Sequence, residues 1–126
     1  MRTIALTNDK TVEIVSGYAA PIQSINTVPQ GPAWYVVGAF YVPATERGAV
    51  EIIGSVTEPG VELHVRVFDL TLCAPVEGSV ATLSAMVDTR ALSGVFDLRG
   101  GHLYQFQAEV IGPSGFASLK AVQLQS

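Results

Sequence analysis

The sequence predicts an all-β domain, built as a sandwich or a barrel. Three observations carry this. Apolar residues almost never recur with helical period. Short runs instead alternate apolar and polar side chains, the period of a half-buried strand. Clusters rich in Gly and Pro punctuate those runs at short intervals. The chain has 126 residues, 48% of them apolar, enough for one domain with its own core.

Elements follow in chain order. Thr3–Leu6 and Thr11–Val15 are predicted to pair as a hairpin across Thr7-Asn8-Asp9-Lys10. Residues 16–33 read as an extended connector containing Pro21, Pro29 and Pro32. Tyr35–Val42 is a strand apolar on both faces. Val50–Val56 follows, with Val50, Ile52 and Val56 on one side. The clearest strand is VELHVRVFDL, where Val61, Leu63, Val65 and Val67 alternate with Glu62, His64 and Arg66. Val80–Val87 alternates imperfectly. Leu92–Leu98 is expected to turn Leu92, Phe96 and Leu98 inward, with Gly94 leaving a gap. In LYQFQAEV, Tyr104, Phe106, Ala108 and Val110 face one way and Gln105, Gln107 and Glu109 the other. Phe116–Leu124 closes the chain, and its alternation slips between Ala121 and Val122, which predicts a bulge. TERG, TEPG, APVEG, LRGG and GPSG supply turn chemistry between these runs.

The segment DLRGGHLYQFQAEV spaces Leu98, Gly101 and Tyr104 as Leu-x-x-Gly-x-x-Tyr, followed by Phe106 and Ala108. This resembles the tyrosine corner of immunoglobulin-like and fibronectin type III-like sandwiches. The resemblance implies that the Tyr104 hydroxyl bonds back to upstream backbone and that Phe106 fills the strand's central core position. DTRALSGVFDL also looks like the Gly-x-Phe-x-Leu strand of carboxypeptidase-regulatory or transthyretin-like modules. The inter-sheet cysteine pair is missing and VELHVRVF has no Trp, so the chain is not an antibody-type domain. The resemblance implies a seven-stranded immunoglobulin-like sandwich over residues 34–126, preceded by an N-terminal hairpin and extended arm over residues 1–33. It says little about function, because such sandwiches serve as adhesion modules, carbohydrate-binding modules, spacers and bacteriophage decoration or tail proteins.

Charge narrows the function classes. Charged residues are 14% of the chain and the net charge is −4, against roughly 25% charged in an average soluble domain. The seven Lys and Arg are scattered, so the chain lacks the basic footprint of a nucleic-acid or anionic-membrane binder. MRTIALTNDK turns polar after Leu6, so no signal peptide is expected. The longest near-apolar run, AWYVVGAFYVPA, is too short to span a membrane as a helix.

Candidate chemistry is thin. His64 and His102 have no spacing that matches a local metal motif and read as strand histidines, so no metal or cofactor is expected. Cys73 has no neighbouring base to lower its pKa and reads as a small apolar filler. No Ser sits in a Gly-x-Ser-x-Gly elbow. Asp88-Thr89-Arg90 interrupts what resembles a calcium loop, and Asp88 reads as a turn cap. No catalytic residue is assigned, and the chain is expected not to be an enzyme.

The stretch from Ile14 to Thr45 has no Asp, Glu, Lys, Arg or His. An extended arm lying on another polypeptide accounts for it, since charge is depleted at interface cores. Tyr18, Ile22, Ile25 and Val28 are the pegs of that arm, and Trp34, Tyr35 and Tyr41 are further contact candidates. The expected function is therefore a structural module fastened to its own copies or to a capsid or tail scaffold, a bacteriophage virion protein being the specific expectation, with the virion as its location. The alternative is a carbohydrate-binding or adhesion module that uses exposed aromatics.

Overall fold

A computed structural model describes residues 2–5, 12–13, 15–16, 28–29, 34–112 and 116–125. The described residues form strands and turns, without a helix. In chain order the strands are β1 (Arg2–Ala5), β2 (Val12–Glu13), β3 (Val15–Ser16), β4 (Val28–Pro29), β5 (Tyr35–Val42), β6 (Glu46–Val56), β7 (Glu62–Asp69), β8 (Ala74–Pro75), β9 (Ala81–Leu83), β10 (Thr89–Leu92), β11 (Phe96–Leu98), β12 (His102–Ile111) and β13 (Phe116–Gln125). Two sheets stack as a sandwich, as the alternating patterns predict. A seven-stranded sheet runs β10-β6-β13-β1-β3, with β11 on β6 and β4 on β13. A six-stranded sheet runs β2-β5-β12-β7-β8, with β9 on β7. All the described pairings are antiparallel except the parallel contact of β2 with β5.

The core lies between the sheets and is built from the predicted faces. Val61, Leu63, Val65 and Val67 are fully buried, and so are Phe106, Ala108 and Val110, with Tyr104 close behind. Val50, Ile52 and Val56 meet them from β6, and Leu119, Val122 and Leu124 from β13. Phe40 packs against Phe106 with ring centroids 4.8 Å apart and against Tyr104 at 5.5 Å. Burying one such side chain contributes about 1.5–3 kcal/mol.

Several local expectations need correction. Val80–Val87 is a strand only over Ala81–Leu83, and Met86 and Val87 are exposed. Leu92–Leu98 is two short strands, and Leu92 points to solvent rather than inward. Ser93 breaks it, because its hydroxyl accepts the Val50 N–H that would otherwise continue the ladder, at 2.8 Å. The bulge in β13 falls one residue earlier than expected, between Leu119 and Ala121, so Leu119 and Val122 both face the core. A second irregularity opposes Phe106 and Gln107 to Gly38 and Val36, which leaves Val37 as the extra residue, tucked into the core.

The N-terminal strands are laid on the sandwich itself. β1 pairs with β13 and with β3, whose partners are Thr3 and Val15, Arg2 and Ser16. Val12–Glu13 joins the other sheet, so the expected hairpin is divided between the two. Its turn, Thr7–Lys10, lies outside the described residues.

Close approach of β6 and β13 requires Gly54. A Cβ there would sit 2.3 Å from the Ser118 carbonyl oxygen, a backbone atom that cannot swing away. Gly54→Ala is expected to destabilise the fold by about 2 kcal/mol, read from the midpoint of urea unfolding. An unchanged midpoint would contradict this strand contact.

Candidate functional site

Alternation along β7 and β12 decides what the outer face of the six-stranded sheet carries. Since Leu63, Val65 and Val67 point inward, Glu62, His64, Arg66 and Phe68 point out. On β12 the outward set is Leu103, Gln105, Gln107, Glu109 and Ile111. Register then places Gln107 beside Arg66 on one side and Val36 on the other, and Glu109 beside His64.

These neighbours form a polar ladder across the strands. Arg66 Nε donates to Gln107 Oε1 at 2.9 Å, and Gln107 Nε2 donates to Gln105 Oε1 at 2.6 Å. The Arg66 guanidinium lies 4.0 Å from the centre of the Trp34 ring and 5.7 Å from that of Phe68, both within cation–π range. Burial lowers the pKa of Arg66, and the nearby Glu109 carboxylate pulls the other way. His64 lies beside the ladder, with Glu62 2.9 Å from its Nε2 and Glu109 3.6 Å from its Nδ1. Val36, Tyr41, Leu103 and Ile111 add exposed apolar surface to the same face.

A second polar cluster closes one end of the sandwich. Asp69 is buried and accepts from the Leu72 N–H at 3.0 Å, while its other oxygen lies 2.8 Å from His102 Nδ1. Burial pushes this carboxyl up, but the bonds from His102, Leu72 and Thr71 outweigh it and hold Asp69 below its ordinary value. Tyr104 accepts the Arg99 N–H on its hydroxyl at 2.6 Å. Burial raises its pKa; the Arg99 bond opposes this and the Asp69 charge adds to it. Gly101, between these groups, has φ +82°, a conformation that disfavours any side chain. Beside the cluster is an open cleft of about 380 Å³, lined by Asp69, Pro75, Glu77, Asp97, Arg99 and Tyr104 among others.

The residues singled out from the sequence fare differently. Leu98, Gly101 and Tyr104 come together at the closed end. Trp34 is half-buried against Arg66, and Tyr41 is exposed on the same sheet. Val28 and Tyr35 are described as strand positions, in β4 and β5. Tyr18, Ile22 and Ile25 lie outside the described residues. Cys73 is not a filler: it is exposed, with φ +55°. His64 and His102 are separated by the sheet, one on its outer face and one at its inner end. Sequence reasoning missed Arg66, Phe68, Gln105 and Gln107. Their strands were legible, but the cross-strand register that joins them was not.

No family model matches the chain, and no curated protein does. Solved structures share its fold. One is a carbohydrate-binding module from Cellvibrio mixtus lichenase 5A in complex with cellotriose, 13% identical, TM-score 0.50, covering 74% of this chain and 68% of that one. Another is isomalto-dextranase of Arthrobacter globiformis T6 complexed with panose, 19% identical, TM-score 0.52, covering 82% of this chain and 18% of that enzyme. A third, with TM-score 0.49 and 14% identity, is the C-terminal CBM6 of the laminarinase LamC from Zobellia galactanivorans, covering 79% of this chain and 76% of that one. These likenesses support an all-β sandwich; they give no support to the immunoglobulin or fibronectin kinship or to a bacteriophage role. They overturn the expected assembly function on a capsid or tail scaffold. The described N-terminal strands agree with that correction, since they pair within their own chain.

Two outcomes are expected at the closed end. Tyr104→Phe leaves the Arg99 N–H without its acceptor and should cost about 1 kcal/mol in urea unfolding; no change would remove the bond's structural role. Because the folded-state pKa of Asp69 is depressed, its contribution is complete above the ordinary carboxylate value of about 3.9 and is lost as pH falls through the folded value. Asp69→Asn should therefore narrow the stability gap between pH 6 and pH 3 relative to the parent chain. An unaltered gap would contradict the bonding described.

Proposed function

We propose that this chain is a carbohydrate-binding module that holds a glycan on the outer face of its six-stranded sheet and performs no catalysis. The observation that carries the reading is the Trp34–Arg66–Gln107–Gln105 array, with Phe68 and Tyr41 on the same face. A sugar ring has an apolar face of C–H groups and a rim of hydroxyls. Aromatic rings take the former. Side-chain amides take the latter, since each offers one acceptor oxygen and two donor hydrogens, more than a singly linked ladder uses. Placing Arg66 and the two amides on strands rather than on loops holds them rigidly. The module of like fold that is complexed with cellotriose favours the same class of partner. The chain's low charge fits too, because a neutral polyol needs hydrogen bonds rather than ions.

Calorimetric titration with cellotriose and other neutral oligosaccharides, preceded by a glycan array, tests this. The parent chain is expected to bind at least one neutral glycan. Trp34→Ala is expected to weaken that binding about thirtyfold, as removal of a central aromatic anchor does. An array without any neutral ligand, or a Trp34→Ala variant that binds as well as the parent, would refute the proposal.

A further inference from the structure

We infer that Arg66 is the positioning residue that turns Trp34 into a stacking platform, and that the glycan stacked there is neutral. The inference rests on the carbohydrate reading above and deepens it.

Trp34 lies just before β5, outside the ladder. Its backbone position therefore leaves the indole loosely specified. Arg66 supplies what the ladder does not. Its stem projects from β7, which is paired with β12 along its whole length. Its Nε is tied to Gln107 Oε1 at 2.9 Å, and Gln107 is tied in turn to Gln105. The guanidinium fixed in this way covers one face of the indole at 4.0 Å. Phe68 approaches the same group at 5.7 Å and limits its swing. A planar guanidinium can stack and donate in its plane at once, which an ammonium cannot.

Two consequences follow. One face of Trp34 is occupied by the protein, so a sugar ring can stack only on the other. The indole is also held before any ligand arrives, which lowers the ordering cost of binding. Arg66 acts from beneath, through Trp34, rather than by grasping the ligand.

The charge of Arg66 is engaged by its own neighbours as well. Its π face is shared with Trp34, its Nε is bonded to Gln107, and its charge interacts with Glu109. Around it the face carries two carboxylates, Glu62 and Glu109, with His64 between them. A uronate or sulfated sugar would meet those carboxylates without, among the described residues of this face, an uncommitted cation to offset them. A neutral glycan meets no such penalty.

Trp34 is the only tryptophan in the chain, so its spectra report on this contact without interference. The experiment compares the parent chain with Arg66→Ala, Arg66→Lys and Gln107→Ala. Near-UV circular dichroism is recorded without ligand, and affinity is measured for cellotriose and for a trimer of a uronic acid. The parent is expected to show a sharp indole band that Arg66→Ala flattens, together with about tenfold weaker cellotriose binding in that variant. Arg66→Lys should fall between the two, keeping the charge and losing the planar fork. Gln107→Ala should move both readouts in the same direction by a smaller factor, and it serves if Arg66→Ala fails to fold. The parent should bind the uronate trimer at least tenfold more weakly than cellotriose. An unchanged indole band and affinity in Arg66→Ala would overturn the positioning role. A preference for the uronate would overturn the neutral assignment. Binding of neither trimer or any other neutral glycan, with the indole band still lost in Arg66→Ala, would refute the carbohydrate reading and the glycan half of this inference while supporting Arg66 as the residue that holds Trp34.

Discussion

The register of β12 between β5 and β7 is the constraint on which the rest of the structure depends. β12 is the central strand of its sheet, and its side chains divide strictly between two tasks. Tyr104, Phe106, Ala108 and Val110 fill the core, where Phe106 and Tyr104 grip Phe40. Gln105, Gln107 and Glu109 face away from it. A slip of one residue would exchange these sets, turning the aromatics out of the core and forcing two amides and a carboxylate into it. The same register that secures the core therefore brings Gln107 to Arg66 and Glu109 to His64. Fold and candidate site have one cause.

The bulge in β5 extends this point. Val37 is the extra residue opposite Phe106 and Gln107, and it is absorbed into the core. Without it, the side chains of β5 on the N-terminal side would sit on the opposite face. With it, Val36 stands on the outer surface beside Gln107, and Trp34 reaches the Arg66 guanidinium. An irregularity that the apolar run YVVGAF does not advertise thus sets where the aromatic platform lies.

Much of the architecture was legible in the sequence, and for a simple reason. β7 and β12 alternate cleanly, so period two reveals both the strand and its buried face. Short strands were misjudged where a side chain substitutes for the ladder, as Ser93 does at Val50, or where apolar residues such as Met86 and Val87 are left in solvent. The site was less legible. Trp34 and Tyr41 were visible as aromatics, but Arg66, Gln105 and Gln107 looked like an ordinary wet face. Alternation says that they point outward; only pairing between strands distant in sequence says that they touch. The uncharged stretch from Ile14 to Thr45 led toward an assembly role because charge depletion signals contact with protein in general. It does not say whether that protein is a partner or the chain's own sheets, and the described strands of the segment pair with the latter.

The central claim is that the outer face of the six-stranded sheet receives a glycan. The most direct test is a titration of isotope-labelled protein with a neutral oligosaccharide, followed by amide and indole resonances in ¹⁵N–¹H spectra. Saturable shifts are expected at the Trp34 indole N–H and at the side-chain amides of Gln105 and Gln107, with the buried amides of β6 unmoved. Shifts confined to the cleft around Asp97 and Arg99, or no shifts at millimolar sugar, would contradict it.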